Sequence, residues 1–149
     1  MNFIVNFLFS MFSTIAFSII TNIPRRAFLA CGFTGAAGWM TFWILHTYFQ
    51  QSIGISNFLG ALMIGLISIL FSRIRHMPVI VFNVPSLVPL VPGGPAYMAV
   101  RHMMNQEFTE SMEKVVIVLV TSGAIAIGFM FTNLIERALK RTRSNFQTK

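Results

Sequence analysis

Charge is what this chain has least of. Only 10% of its 149 residues are charged while 55% are hydrophobic, far from the roughly 25% charged residues of a soluble domain. Aspartate is absent, and the four acids are Glu107, Glu110, Glu113 and Glu136. Between Arg26 and Arg73 no residue carries a full charge. A solvated globular surface is thereby excluded, and the expected class is an all-α integral membrane protein.

Cysteine is nearly absent as well. Cys31 stands alone, which rules out an internal disulfide or a cysteine-based metal site. His46, His76 and His102 fall at the ends of apolar runs with no carboxylate or cysteine at metal-ligand spacing, so they read as interface anchors. There is no Walker loop, no HExxH, no GxSxG and no acid inside any predicted span. The chain is therefore read as not an enzyme, with no cofactor and no metal.

The charge that is present is basic: 11 Lys and Arg give a net +7. Arg25, Arg26, Arg73 and Arg75, with Arg137, Lys140, Arg141, Arg143 and Lys149 of the tail, lie at the ends of apolar runs rather than along one soluble face. Basic residues in that position fix membrane orientation, so no nucleic-acid partner is expected. The partner they imply is the lipid bilayer.

Apolar runs near 3–20, 27–45, 55–72, 77–100 and 115–135 approach the ~20 residues a helix needs to cross ~30 Å of hydrocarbon. They predict about five transmembrane helices in one domain, 1–136, followed by a basic cytoplasmic tail, 137–149. The first run lacks a basic flank and a small-residue cleavage pattern, so it reads as a permanent span rather than a signal peptide. The polar stretch "HTYFQQSIG" (46–54) separates the second and third spans. Counting basic residues places the N-terminus outside and the C-terminus in the cytoplasm. The outer connection then holds Glu107, Glu110 and Glu113 at helical spacing, expected on a short surface helix.

The fourth run is interrupted. In "NVPSLVPLVPGGPAY" (83–97), Pro85, Pro89, Pro92 and Pro95 surround Gly93 and Gly94. Each proline removes an N–H donor and clashes with the preceding turn, and non-helical backbone at membrane depth is tolerated only against protein or a watery cavity. A broken helix crossing once, with residues 84–94 facing a cavity or a partner, is the expectation. Gly94 followed by Pro95 resembles a helix start, whose free N–H groups from Ala96 and Tyr97 would suit a carboxylate. Small residues in the second (Gly32, Gly35, Ala36, Gly38), third (Ala61, Gly65) and fifth (Gly123, Ala124, Gly128) spans predict close helix packing.

Two stretches, "NIPRRAFLACGFTGAAGW" (22–39) and the more specific "PLVPGGPAY" (89–97), resemble the threonine/serine exporter (ThrE) family, in particular its short subunits similar to the C-terminal half of fused exporters. The likeness spans nearly the whole chain. It implies a plasma-membrane exporter of threonine and serine or, as in some two-subunit members, of a dicarboxylate such as succinate. It also implies a larger ThrE-type partner subunit, and leaves a homo-oligomer open. One departure is Ser86, where the family often has Gly after the first Pro of the signature.

On this reading Pro89, Pro92, Gly93 and Gly94 form the break. The backbone N–H groups of Ala96 and Tyr97 meet a small carboxylate substrate, and Asn83 and Ser86 are polar lining. The Tyr97 hydroxyl would bond either the substrate or a freed carbonyl. Arg25 and Arg26 are a gate or topology anchors. Two other functions stay open at this point, a non-transporting scaffold or assembly subunit and a passive pore.

Overall fold

The computed structural model describes the backbone of residues 3–147 and the side chains of residues 3–138. Its elements are all helical: α1 (Phe3–Ile20), a single 3-10 turn (Arg25–Ala27), α2 (Phe28–Thr47), α3 (Ile53–Arg75), α4 (Ile80–Ser86), α5 (Gly93–Met104) and α6 (Phe108–Gln147). Among the described residues, four continuous stretches are long and apolar enough to cross a membrane: Phe3–Ile20, Arg25–Thr47, Ile53–Arg75 and Phe108–Ala138. The all-α membrane architecture read from composition is therefore the fold. The fourth predicted run is indeed broken, into α4 and α5.

Local chemistry sets the helix ends. Ser52 caps α3 by accepting the Ile55 N–H at 3.4 Å. His76 closes it in a left-handed conformation, and the Met77 N–H returns to the Ser72 carbonyl at 3.2 Å before Pro78. After Pro24 the chain makes the 3-10 turn Arg25–Ala27, and the regular turns of α2 begin at Phe28, one residue later than the expected 27.

The largest departure concerns the connection that holds Glu107, Glu110 and Glu113. Glu110 and Glu113 do not lie on a separate surface helix; they belong to the first two turns of α6, which begins at Phe108 rather than near 115. The charges mark where the helix leaves the apolar phase, and nothing in "FTESMEK" breaks the backbone there. At its other end α6 runs on to Gln147, so the basic tail continues the helix, while its side chains beyond 138 lie outside the described residues.

Small residues bring the helices together, as lipid gives apolar side chains no hydrophobic reason to associate. Gly35 of α2 sits against the Thr14 side chain of α1, and Gly38 against Ile64 and the Gly60 carbonyl of α3. Gly65 faces Thr132, and Gly128 faces Ala61 and the Phe58 carbonyl, so α3 and α6 run side by side in the same direction. Gly123, predicted for the same stripe, instead has nothing within 4 Å.

The inward face of α1 is polar. Its buried residues are Asn6, Ser10, Thr14 and Ser18, one per turn. Ser10, Thr14 and Ser18 each donate to the carbonyl four residues back at 2.8 Å, which satisfies the hydroxyls without water. Two apolar clusters complete the interior: Ala27, Ala30, Cys31 and Phe82 at the end near Arg25 and Arg75, and Ala61, Ile64, Leu90 and Ile125 deeper in the bundle.

The α4 helix is held to α2 by two side-chain hydrogen bonds, one of which answers its proline. Pro85 deprives the Val81 carbonyl of a helical donor, and the Cys31 thiol reaches that carbonyl at 3.5 Å. Ser86 Oγ donates to the Cys31 carbonyl at 3.1 Å and is fully buried. Ser86→Ala removes this link and strands no carbonyl, because Cys31 keeps its place in the α2 ladder. We expect a loss of about 1 kcal/mol, read as lower thermal stability of the purified chain in detergent, with unchanged membrane insertion.

Candidate functional site

Between α4 and α5, residues 87–92 form tight turns, and the backbone accounts explain why. Val88 N–H donates to the Pro85 carbonyl, Leu90 and Val91 N–H both donate to Leu87, and Gly93 N–H donates to Val91 at 2.8 Å. Pro92 has no N–H for the Val88 carbonyl. The carbonyls of Val88, Pro89 and Leu90 consequently accept no hydrogen bond from the described residues. Unpaired carbonyls at membrane depth require polar surroundings.

Those surroundings exist. A cavity of about 200 Å³, in which Asn57 and Thr121 are the polar side chains, adjoins Pro89, Leu90, Pro92 and Pro95 and is walled by Trp39. On the other side of Trp39 and Pro89 lies a second cavity of about 230 Å³, bounded by Asn6, Phe9 and Ser10. Each is the liquid volume of roughly seven or eight waters, the scale of a small metabolite.

Two buried groups in these walls lack partners among the described residues. Asn6 Oδ1 accepts from Trp39 Nε1 at 3.4 Å, but its buried Nδ2 has no partner; the residue is 3% exposed. Thr121, also 3% exposed, has an unpaired Oγ1. The contrast with Thr14, Thr34, Thr41 and Thr132 is informative, because each of those donates to the carbonyl four residues back. Asn57 uses its Nδ2 on the Ile53 carbonyl at 2.8 Å. The break thus presents free carbonyls as acceptors, with an amide N–H and a hydroxyl as donors, and no charged side chain among the lining residues.

The residues expected from sequence divide around this centre. Pro89 borders both cavities and Pro92 borders the larger-walled one with Thr121. Gly93 and Gly94 begin α5, two residues before the start at Pro95 that the sequence suggested, with Pro92 as N-cap, and a Cβ on either would meet nothing within 4 Å. The Ala96 N–H is not free: it donates to the Pro92 carbonyl at 3.0 Å. Tyr97 lies inside α5 and is 67% exposed, away from both cavities. Ser86 braces α2, as described above. Arg25 and Arg26 are exposed at the far end of the bundle.

Asn83 belongs to a different space, a cavity of about 410 Å³ between α4 and α6 bordered also by Val79, Leu87, Phe129, Asn133 and Glu136. Its Oδ1 is buried without a partner. Asn6, Asn57 and Thr121 were not singled out from sequence. The signal was there for Asn6, which begins a polar residue every fourth position in an otherwise apolar span.

The sequence pattern of the family described as "Threonine/Serine exporter, ThrE" matches residues 6–135, nearly the whole chain. The chain belongs to the threonine/serine exporter (ThrE) family. It is thus a multi-pass membrane protein of an exporter family rather than of an enzyme class. The match runs from within α1 to within α6, so the polar stripe of α1 and the broken segment both fall within the exporter region. No solved structure matches the chain.

Proposed function

We propose that this chain is one membrane subunit of a secondary exporter of threonine or serine, and that the substrate binds at the break, in the cavity of Pro89, Asn57 and Thr121, with the Asn6 cavity beyond Trp39 and Pro89 as the adjoining stretch of its path. The observation that carries this reading is the pair of buried, unpartnered groups, Asn6 Nδ2 and Thr121 Oγ1, beside the unpaired carbonyls of residues 88–90. A zwitterion offers an ammonium to carbonyls and a carboxylate to neutral donors. Its net charge is zero, so it enters a site without charged walls at far lower cost than a dianion, whose burial without a cation is expensive. A dicarboxylate such as succinate would therefore need a cation from another subunit.

A larger ThrE-type subunit is the proposed partner, because no ionisable side chain borders either cavity to couple export to protons or ions. Basic residues from both connections, Arg25, Arg26, Arg73 and Arg75, with Arg137, fall at one end of the bundle; we place that end in the cytoplasm and the N-terminus outside. The cavity of Asn83, Asn133 and Glu136 is then the inner vestibule.

Export of labelled threonine, serine and succinate from cells expressing the chain alone, or with the larger subunit, tests the proposal. We expect threonine and serine efflux from the pair only, abolished when the proton gradient is dissipated. Efflux that survives dissipation would establish a passive pore instead. No efflux of any of the three from an assembled pair would favour a scaffold.

A further inference from the structure

A second feature is independent of what is transported. The contacts of Gly54 with Val120, Ala61 with Gly128 and Gly65 with Thr132 fix the heights of α3 and α6 against each other. The start of α3 at Ile53 is level with residue 119 of α6. The eleven residues of α6 before that level rise about 16 Å beyond the end of α3 at 1.5 Å per residue. α5 runs down this extension, with Ser111 Oγ donating to the Ala99 carbonyl at 2.8 Å. Arg101, His102, Glu107, Glu110, Glu113 and Lys114 all sit here, so the extension stands in water rather than hydrocarbon.

One face of α6 nevertheless carries an apolar row from Phe108 to Leu134, above Arg137. Phe108, Met112, Val116, Leu119 and Ile127 are each more than half exposed, and Gly123, with nothing within 4 Å, completes the row. Their spacing is 4, 4, 3, 4, 4, and the same rhythm continues to Leu134, which is 52% exposed. At 100° per residue they share an arc of about 100°. Thr121, Ile125, Gly128 and Thr132, which face the bundle, lie on the opposite side. Lipid can cover the lower half of this row, but not Phe108, Met112 and Val116.

We infer that this face is the interface between two copies of the chain, paired parallel through α6 about a two-fold axis along the membrane normal. Three observations favour a second copy. Only a helix that also rises above α1–α3 can cover the row from end to end, and another α6 does so at the same height. An 11-residue repeat is 3.67 residues per turn, close to the helix's own period, so two such rows stay in contact as a nearly straight or slightly right-handed pair. Gly123 at mid-row allows the backbones to approach closely, as small residues do in membrane helix pairs. Charge fits as well. Ser111 places α5, with the exposed Arg101, on one flank of the row, and Glu113, its side chain 68% exposed, borders the other. A two-fold axis brings opposite flanks together.

The test is oxidative crosslinking of the full chain in native membranes, in a Cys31→Ala background, with Met112→Cys, Val116→Cys and Ile127→Cys on the row. Phe9→Cys and Phe12→Cys, exposed on α1, report random collision. We expect a shift to the dimer position for the row variants only, lost on adding Gly123→Leu, and co-purification of two differently tagged uncrosslinked copies. Dimers formed equally from α1, a row that crosslinks only to another protein, or failure of tagged copies to co-purify would overturn the inference.

Discussion

Gly38→Leu should leave little folded protein in the membrane, and Gly35→Leu nearly as little. A Cβ at Gly38 falls onto the Ile64 side chain and lies 3.2 Å from the Gly60 carbonyl. Ile64 is fully buried and cannot swing away, and the Gly60 carbonyl is backbone. The two helices must separate. At Gly35 the obstacle is Thr14, whose hydroxyl is tied to the Ser10 carbonyl at 2.8 Å. Overpacking costs about 1–3 kcal/mol at a yielding site; at these two, with backbone or a fixed hydroxyl as the neighbour, we expect the upper end. That is roughly a hundredfold in the folded population, measured as membrane-integrated chain and as resistance to detergent unfolding. Gly94→Ala, with open space around it, should accumulate normally. Equal accumulation of all three variants would refute the packing account.

The glycines of α2 were readable in advance because a bilayer rewards close approach, and glycine at three-residue spacing in an apolar span has few other uses. The extents of α1, α2 and α3 were readable for a similar reason, since hydrocarbon thickness limits the length of an apolar run. The height of α6 was not. Glu107, Glu110 and Glu113 signal water correctly, but water does not end a helix, and no proline or glycine stands between Glu107 and the apolar run. Gly128 and Gly123 differ by only five residues, yet one faces α3 and the other faces outward; which face of α6 meets the bundle depends on the position of α3, which local sequence does not encode.

The break itself was legible, since four prolines near a glycine pair leave no continuous helix. Its chemistry was less so. A helix start at Pro95 drew attention to the amides of Ala96 and Tyr97, whereas the start at Gly93 gives the Ala96 N–H a carbonyl of its own. The polar groups at the cavity come from α1, α3 and α6, far away in sequence. Single Asn and Thr residues in apolar spans carry no mark of which will be left unpaired. Only the assembled bundle distinguishes Thr121 from Thr132, which share a residue type and a helix but not a hydrogen bond.

Thr121→Val turns that distinction into a measurement with two opposite signs. The valine has nearly the same shape, and the hydroxyl it removes has no partner in the resting chain. Deleting an unsatisfied buried polar group relieves a penalty of about 1–3 kcal/mol, so the variant should unfold at a temperature equal to or higher than the parent. Export should move the other way. If the hydroxyl meets the substrate carboxylate, losing a hydrogen bond to a charged group costs about 1.5–3 kcal/mol, roughly a 10- to 100-fold loss of threonine efflux. Asn6→Leu should behave alike in transport but gain less stability, because it also gives up the 3.4 Å bond from Trp39. Thr132→Val provides the counter-case: its hydroxyl is satisfied by the Gly128 carbonyl at 3.0 Å and borders neither break cavity, so efflux should hold while stability falls slightly. A Thr121→Val chain that exports at the parental rate would remove the substrate from this cavity. A chain that loses both stability and export would make Thr121 a structural residue whose partner appears only in the assembled exporter.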